Sequence, residues 1–177
     1  MQKTNSLKFV ELVPDLYQTY IQIGTRAYNQ HYRHLWPNGD TSTYIQYSFT
    51  KQVLDKEELD TNTQLYLIQL EDTYVGILKI TFDKKMMTYI ESDALYLDKI
   101  YILKEYSGKG IGAKCIQFIV GIAKKLSKKA IFLESMQKGP ALSFYLANNF
   151  TIVSNSQVPF ENVIEEEKPM YVLMKGI

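Results

Sequence analysis

Several features that would place this chain in a special class are scarce or missing. Cys115 is the only cysteine among 177 residues, so an internal disulfide framework is excluded and a reducing compartment is expected. No run of about 18 apolar residues occurs, and acidic Glu11 and Asp15 interrupt the N-terminal stretch where a signal peptide has an apolar core. We therefore expect a cytoplasmic protein that makes no membrane contact.

The chain also lacks an excess of charge of either sign. It carries 20 Lys and Arg against 19 Asp and Glu, a formal net charge of +1, whereas nucleic-acid-binding domains usually carry a basic excess. His31 and His34 are not accompanied by the additional cysteine or carboxylate spacing of a metal site. We therefore expect neither a nucleic-acid partner nor a metal.

The composition that remains is that of an ordinary globular protein. The apolar fraction is 46% and the charged fraction 22%, and the length suits one domain better than two. Neither repeats nor a low-complexity linker interrupts the sequence. We expect a single domain over residues 1–177.

The spacing of apolar residues changes from helical to strand-like along the chain. It predicts helices at 15–28, about 43–54, about 112–127 and 139–148, with a loop at 31–40. It predicts strands at 64–70, 74–82, 94–103 and 130–136, and closing strands near 150–153 and 170–174. This order predicts an α/β fold with a mixed, mostly antiparallel sheet and helices on both faces. Only the strand–helix–strand unit over 94–136 requires a parallel pair.

A glycine-rich turn joins the strongest predicted strand to a helix. Gly108, Gly110 and Gly112 let the backbone turn at little steric cost and present consecutive N–H groups, which bind phosphate oxygens at a helix N-terminus. A tight turn without a ligand is the alternative. A Walker P-loop is excluded because residues 113–115 read Ala-Lys-Cys where Gly-Lys-Ser/Thr is required.

A dinucleotide-binding fingerprint fits the same turn. Gly108, Gly110 and Ala113 match its G-x-G-x-x-A form, and Glu134 lies near the end of the next predicted strand, about 20 residues later. Two observations argue against it. Helices and an antiparallel meander precede the turn, and the chain after Glu134 is too short and too antiparallel to complete a doubly wound sheet.

The same segment, IYILKEYSGKGIGAKCIQFI, resembles motif A of the GNAT acyltransferases, with the signature Gln/Arg-x-x-Gly-x-Gly/Ala. Gly110 and Gly112 match its glycines, and Ser107 stands where Gln or Arg is usual. The resemblance implies that backbone N–H groups of the turn hold the diphosphate of acetyl-CoA and that the preceding strand lines its pantetheine arm. The residues implied are Ile100, Tyr101, Ile102, Ser107, Gly108, Lys109, Gly110, Ile111, Gly112 and Ala113.

A second match to this family lies downstream, in the correct order. Residues 138–150 follow its pattern Asn-x-x-Ala-x-x-Phe-Tyr-x-x-x-Gly-Phe, with four residues in register: Ala141, Phe144, Tyr145 and Phe150. Asn149 replaces the Gly, and Asn also tolerates the left-handed conformation of a helix C-cap. Lys138 replaces the Asn that lies near the coenzyme in the family, so we expect Lys138 to contact the coenzyme. Together the two motifs imply the GNAT fold and an acetyl-CoA-dependent N-acetyltransferase.

Acetyl transfer to an amine makes three chemical demands. The oxyanion requires a hydrogen-bond donor, the departing thiolate requires an acid, and the amine proton requires a base. The resemblance implies a backbone N–H of the strand before the glycine turn as the donor and Tyr145 as the acid, although an aromatic residue at this position also suits simple packing. Glu134 and Asp98, on neighbouring predicted strands, are the candidate bases, with plain surface carboxylates as the alternative.

The acceptor amine is indicated by an acidic loop between the last two predicted strands. Four glutamates lie there: Glu161, Glu165, Glu166 and Glu167. Clustered carboxylates attract polycations, although an ordinary exposed acidic loop has the same composition. Residues 27–49, 92–103 and 170–177 are similar to the bacterial spermidine/spermine N-acetyltransferase branch, so a polyamine is the expected acceptor.

Other functions stay open at this point. The acceptor could instead be a peptide, a protein amine or another small amine. Outside the enzyme class, a coenzyme-binding regulatory domain without catalysis and a Rossmann-type nucleotide-binding module are the alternatives. Assembly as a homodimer is also left open.

Overall fold

A computed structural model describes residues 6–177. The strands are β1 (Leu7–Glu11), β2 (Thr63–Leu70), β3 (Thr73–Thr81), β4 (Ala94–Ile102), β5 (Ala130–Met136), β6 (Thr151–Gln157) and β7 (Pro169–Gly176). The helices are α1 (Tyr17–Tyr32), α2 (Ser42–Ser48), α3 (Lys51–Leu59), α4 (Ile111–Lys125) and α5 (Pro140–Ala147). Among these residues, no helix has the length and apolar character needed to cross a membrane.

The strands form one sheet in the order β1-β2-β3-β4-β5-β7-β6. Every neighbouring pair is antiparallel except β4 and β5, which are parallel and joined through α4. The predicted fold class, a mostly antiparallel mixed sheet with one parallel pair and helices on both faces, is confirmed.

Both faces of the sheet are buried because its central strands contain runs of consecutive apolar residues, whose side chains point to the two faces in turn. On one face, α4 presents Ile111, Cys115 and Ile119 at four-residue spacing to a cluster that includes Leu78 and Leu95. On the other face, α1 and α3 cover a second cluster around β2 and β3. The buried Cys115 is therefore a packing residue, as the helical periodicity indicates.

The first third of the chain differs from the predicted elements. Strand β1 was not predicted, and the helix expected over about 43–54 is divided into α2 and α3. The break falls at Phe49, whose ring packs against α1 so closely that a Cβ on Gly24 would lie 2.5 Å from it. A new helix then begins after Thr50, whose hydroxyl accepts a 3.2 Å hydrogen bond from the Val53 N–H.

Candidate active site

The parallel strand pair opens into a cleft at the carboxyl ends of its strands. β4 and β5 pair only as far as Tyr96 opposite Phe132. Beyond this point β4 stays paired with β3 up to Ile102, whereas β5 stays paired with β7 up to Met136. The two strands therefore separate while each is held by its outer neighbour. Open α/β sheets bind ligands at such carboxyl ends.

A β-bulge lies in β4 just beyond the last paired residues. The register with β3 passes from Leu97 opposite Ile80 to Lys99 opposite Lys79, so Asp98 has no partner. An extra residue of this kind re-aims the side chains that follow it.

The bulge decides where the predicted pantetheine-lining residues point. Leu97 before it and both Ile100 and Ile102 after it pack on the α4 face, whereas Tyr101 packs on the opposite face. The Tyr101 hydroxyl lies 2.6 Å from that of Tyr44 on α2. Two of the three predicted side chains thus share the α4 face of the cleft. The third belongs to a tyrosine cluster on the opposite face, formed by Tyr28, Tyr32, Tyr44 and Tyr101.

The glycine turn presents unpaired backbone donors to solvent. Gly108 and Gly110 have φ of 74° and 76°, a region that favours glycine, and Gly110 is the N-cap of α4. Within residues 6–177, no protein acceptor receives the N–H groups of residues 108–113. Ser107 and Lys109 are exposed beside them. Because α4 is 15 residues long, its dipole also favours an anion here.

The two sequence motifs meet in space at the start of α4. A Cβ placed on Gly112 would lie 2.9 Å from the Phe144 ring on α5. Gly112 is therefore required for the close approach of α5 to α4, in addition to any contact with a ligand.

We expect Gly112→Ala to destabilise the fold by about 1–3 kcal/mol, because the added methyl overpacks this contact. Chemical unfolding measures the change, and a smaller side chain in Phe144→Leu should restore part of it. Gly121→Ala is the matched control in the same helix. Its methyl would meet nothing within 4 Å, so it should stabilise by about 0.5–1 kcal/mol. Equal effects of the two substitutions would contradict the packing role.

Tyr145, the predicted acid, is held on α5 by aromatic packing. Its ring centroid lies 5.1 Å from that of Phe144 and 5.8 Å from that of Phe150. Burial raises the pKa of Tyr145, and the neighbouring Tyr32 and Cys115 raise it further. The hydroxyl therefore keeps its proton at neutral pH, as an acid requires.

The three predicted catalytic residues gather around Tyr96. The Tyr96 hydroxyl donates a 2.6 Å hydrogen bond to Glu134 Oε2. Burial raises the pKa of Tyr96, and Glu134, Asp98 and Tyr145 all lie near enough to raise it further. Asp98 itself accepts a 2.8 Å hydrogen bond from Thr81, and burial raises the pKa of Asp98. Two carboxylates and one protonated phenol thus share the region where the strands separate.

A model of the acetyltransferase (GNAT) family matches residues 22–150. This chain belongs to that family. The predicted enzyme class, an acetyl-CoA-dependent N-acetyltransferase, is confirmed at the level of the family.

The relatives found by comparison are distant in sequence. The PaiA N-acetyltransferase of Thermoplasma acidophilum, solved with coenzyme A, has 16% identity and a TM-score of 0.77 over 97% of this chain and 99% of its own. A GNAT-family acetyltransferase of Streptococcus pneumoniae has 20% identity and a TM-score of 0.68 over 97% and 100%. At these identities the structures show a shared fold.

A curated relative is named as an uncharacterized N-acetyltransferase in the pepI 3′ region of Lactobacillus delbrueckii subsp. lactis. It is 20% identical to this chain over 113 residues. The match covers 63% of this chain and 65% of the relative, so it spans just under two thirds of the relative's length.

The glycine turn fits the cosubstrate of a GNAT enzyme. Acetyl-CoA carries a diphosphate, and the free N–H groups of residues 108–113 at the start of a long helix are suitable donors for it. The individual coenzyme contacts remain predictions.

Lys138, predicted to contact the coenzyme, is engaged elsewhere. Its ammonium donates a 2.8 Å hydrogen bond to the Glu166 carbonyl and lies 3.1 Å from a Glu167 carboxylate oxygen. These partners belong to the loop between β6 and β7. Lys138 therefore ties the start of α5 to that loop, and any coenzyme contact would require it to leave these partners.

Lys99 is a residue of this GNAT site that the sequence analysis did not select. It follows the bulge on the side of the tyrosine cluster, with its ammonium 5.9 Å and 5.6 Å from the ring centroids of Tyr44 and Phe49. Burial and, to a smaller extent, the adjacent Lys79 together lower the pKa of Lys99 to about 8. Lys79 is paired with Glu57, whereas the described chain offers Lys99 no ion pair. Lys99 could not be selected from the sequence, because the absence of a counterion beside a strand lysine depends on the tertiary structure.

Proposed function

We propose that this protein transfers the acetyl group of acetyl-CoA directly to a primary amine of a small molecule, with a polyamine such as spermidine or spermine as acceptor. The main observation that supports this reaction is the cleft between β4 and β5. Free backbone amides lie on the α4 side of this cleft, and Tyr145 and two carboxylates lie near Tyr96 at the point where the strands separate.

In this proposal the amine nitrogen bonds to the thioester carbonyl carbon while the carbon–sulfur bond breaks. The proton lost by the amine goes to Glu134, with Asp98 as the other candidate base. The Tyr145 hydroxyl gives its proton to the departing sulfur, so that a neutral thiol leaves, and the phenolate regains a proton from solvent. The N–H groups of residues 108–113 keep the diphosphate fixed throughout.

The polyamine proposal is supported by the loop between β6 and β7. Glu165 and Glu167 are paired with lysines, but Glu161 and Glu166 are exposed, and neither side chain has an ion pair within residues 6–177. Next to Glu161, the Phe160 ring meets the exposed Tyr47 ring edge to face at 5.2 Å. Carboxylates and aromatic faces together bind alkylammonium groups.

A second acceptor class, a primary amine that also carries a carboxylate, is favoured by Lys99. An ammonium without a counterion on the face of β4 opposite α4 would attract a carboxylate and repel a polycation. Amino acids and peptides belong to this class.

An acceptor screen with acetyl-CoA tests both candidates, with thiol release measured for spermidine, spermine, amino acids and peptides. We expect polyamines to be the fastest acceptors and Lys99→Met to leave their kcat/KM unchanged or to raise it. If a carboxylate-bearing amine is the fastest and Lys99→Met lowers its kcat/KM about 10- to 100-fold, the second class is correct. The polyamine proposal is overturned if thiol release with polyamines is no faster than thiol release without an acceptor.

A further inference from the structure

Tyr96 holds a position in the GNAT cleft that packing alone does not explain. It is the last residue of β4 that pairs with β5, and its ring lies in a small apolar cluster with Phe132 and Val172. Its hydroxyl leaves that cluster and donates to Glu134 Oε2 at 2.6 Å. The tyrosine therefore connects the two strands at the point where their backbones begin to separate.

A second hydroxyl holds the other oxygen of the same carboxylate. Ser156 on β6 donates to Glu134 Oε1, although β7 lies between β6 and β5 in the sheet. Glu134 is exposed, and within residues 6–177 no lysine, arginine or histidine forms an ion pair with it. The result is an oriented carboxylate without a counterion, which is suited to receive a cation.

Lys84 contacts the aromatic ring of the same tyrosine. Its ammonium, in the loop after β3, lies 3.3 Å from the centroid of the Tyr96 ring. A cation over an aromatic face interacts with the ring electrons and makes the hydroxyl a stronger donor. Since burial and the adjacent Glu134 raise the pKa of Tyr96, the hydroxyl keeps its proton and acts only as a donor toward the carboxylate.

We propose that Tyr96 is a positioning residue which, together with Ser156, fixes the Glu134 carboxylate where it accepts a hydrogen bond from the neutral amine of the acceptor and takes its proton as positive charge develops on the nitrogen. The inference rests on the proposed acetyl transfer and assigns the base within it. The proton passes from the acceptor nitrogen to a Glu134 oxygen as the carbon–nitrogen bond forms. Tyr96 contributes a hydrogen bond and transfers no proton.

The test is a double-mutant cycle of Tyr96→Phe and Glu134→Gln, measured with the best acceptor from the screen. Glu134→Gln should lower kcat/KM for the acceptor about 100-fold, in the range of a lost general base. Tyr96→Phe should lower it about 10-fold, because one hydrogen bond to a charged group is lost. The double variant should equal Glu134→Gln within about two-fold, because Tyr96 acts through Glu134. KM for acetyl-CoA should stay unchanged in all three.

Tyr89→Phe is the matched control. Tyr89 packs edge to face on Phe132 at 5.4 Å, and among the described residues its hydroxyl has no hydrogen-bond partner, so its loss should leave activity and melting temperature unchanged. If Tyr96→Phe is as active as Tyr89→Phe, or if its loss of activity adds to that of Glu134→Gln, Tyr96 does not position Glu134. The proposed acetyl transfer would not be affected by either result. Coenzyme A binding by the wild type without acetylation of any amine would overturn the proposed function and this assignment with it.

Discussion

Tyr145→Phe is expected to lower kcat about 100-fold while the affinity for coenzyme A stays unchanged. The substitution removes one hydroxyl and keeps the ring that packs against Phe144 and Phe150. The departing thiolate then has no positioned acid, and a lost general acid commonly costs about 10²- to 10⁴-fold. Because burial raises the pKa of Tyr145, the wild-type acid stays protonated through the neutral range. The deficit should therefore be the same from pH 6 to pH 8.

Tyr66→Phe is the control for this experiment. Tyr66 lies in the apolar cluster against which Tyr145 packs, burial raises its pKa to about 12, and its hydroxyl has no hydrogen-bond partner in the described part of the chain. Its loss should leave kcat unchanged. If Tyr145→Phe also leaves kcat at the wild-type value, Tyr145 is a packing residue only and the thiolate leaves without its help.

The central elements of the fold could be predicted because their sequence patterns match their structural roles. The strand over 130–136 has the predicted bounds, since a short apolar run between helix and turn residues has few other ways to be buried. Strand β1 was not predicted because a five-residue edge strand depends on β2 for its pairing. The break at Phe49 was missed because it arises from contact with Gly24 on another helix.

The candidate site shows the same division between local and long-range causes. The glycine turn was found because positive φ values and exposed amides follow from glycine spacing within one segment. The bulge at Asp98 is defined only by the register with β3. Tyr96, Glu134 and Ser156 come from three different strands, so their hydrogen bonds depend on the order of the sheet. Glu134 could be named as a candidate base from the sequence, but its partners Tyr96 and Ser156 could be found only in the tertiary structure.

Gly110→Ala is expected to weaken the binding of coenzyme A about 10- to 100-fold. The glycine has a φ of 76°, which an alanine adopts only at a cost of about 1–2 kcal/mol. Relaxation of that strain turns the first N–H groups of α4 away from the diphosphate. The loss of one charge-assisted hydrogen bond costs about 1.5–3 kcal/mol. Calorimetry with coenzyme A measures the change, and pantetheine, which lacks the diphosphate, should bind both proteins equally.

Gly39→Ala separates ligand binding from backbone strain. Gly39 has a similar φ of 69°, and a Cβ there would make only ordinary contacts with Arg33, at 3.8 Å and beyond. It lies outside the glycine turn, so the variant should lose comparable stability and keep its affinity for coenzyme A. Equal affinities of wild type and Gly110→Ala for coenzyme A would mean that the turn does not hold the diphosphate.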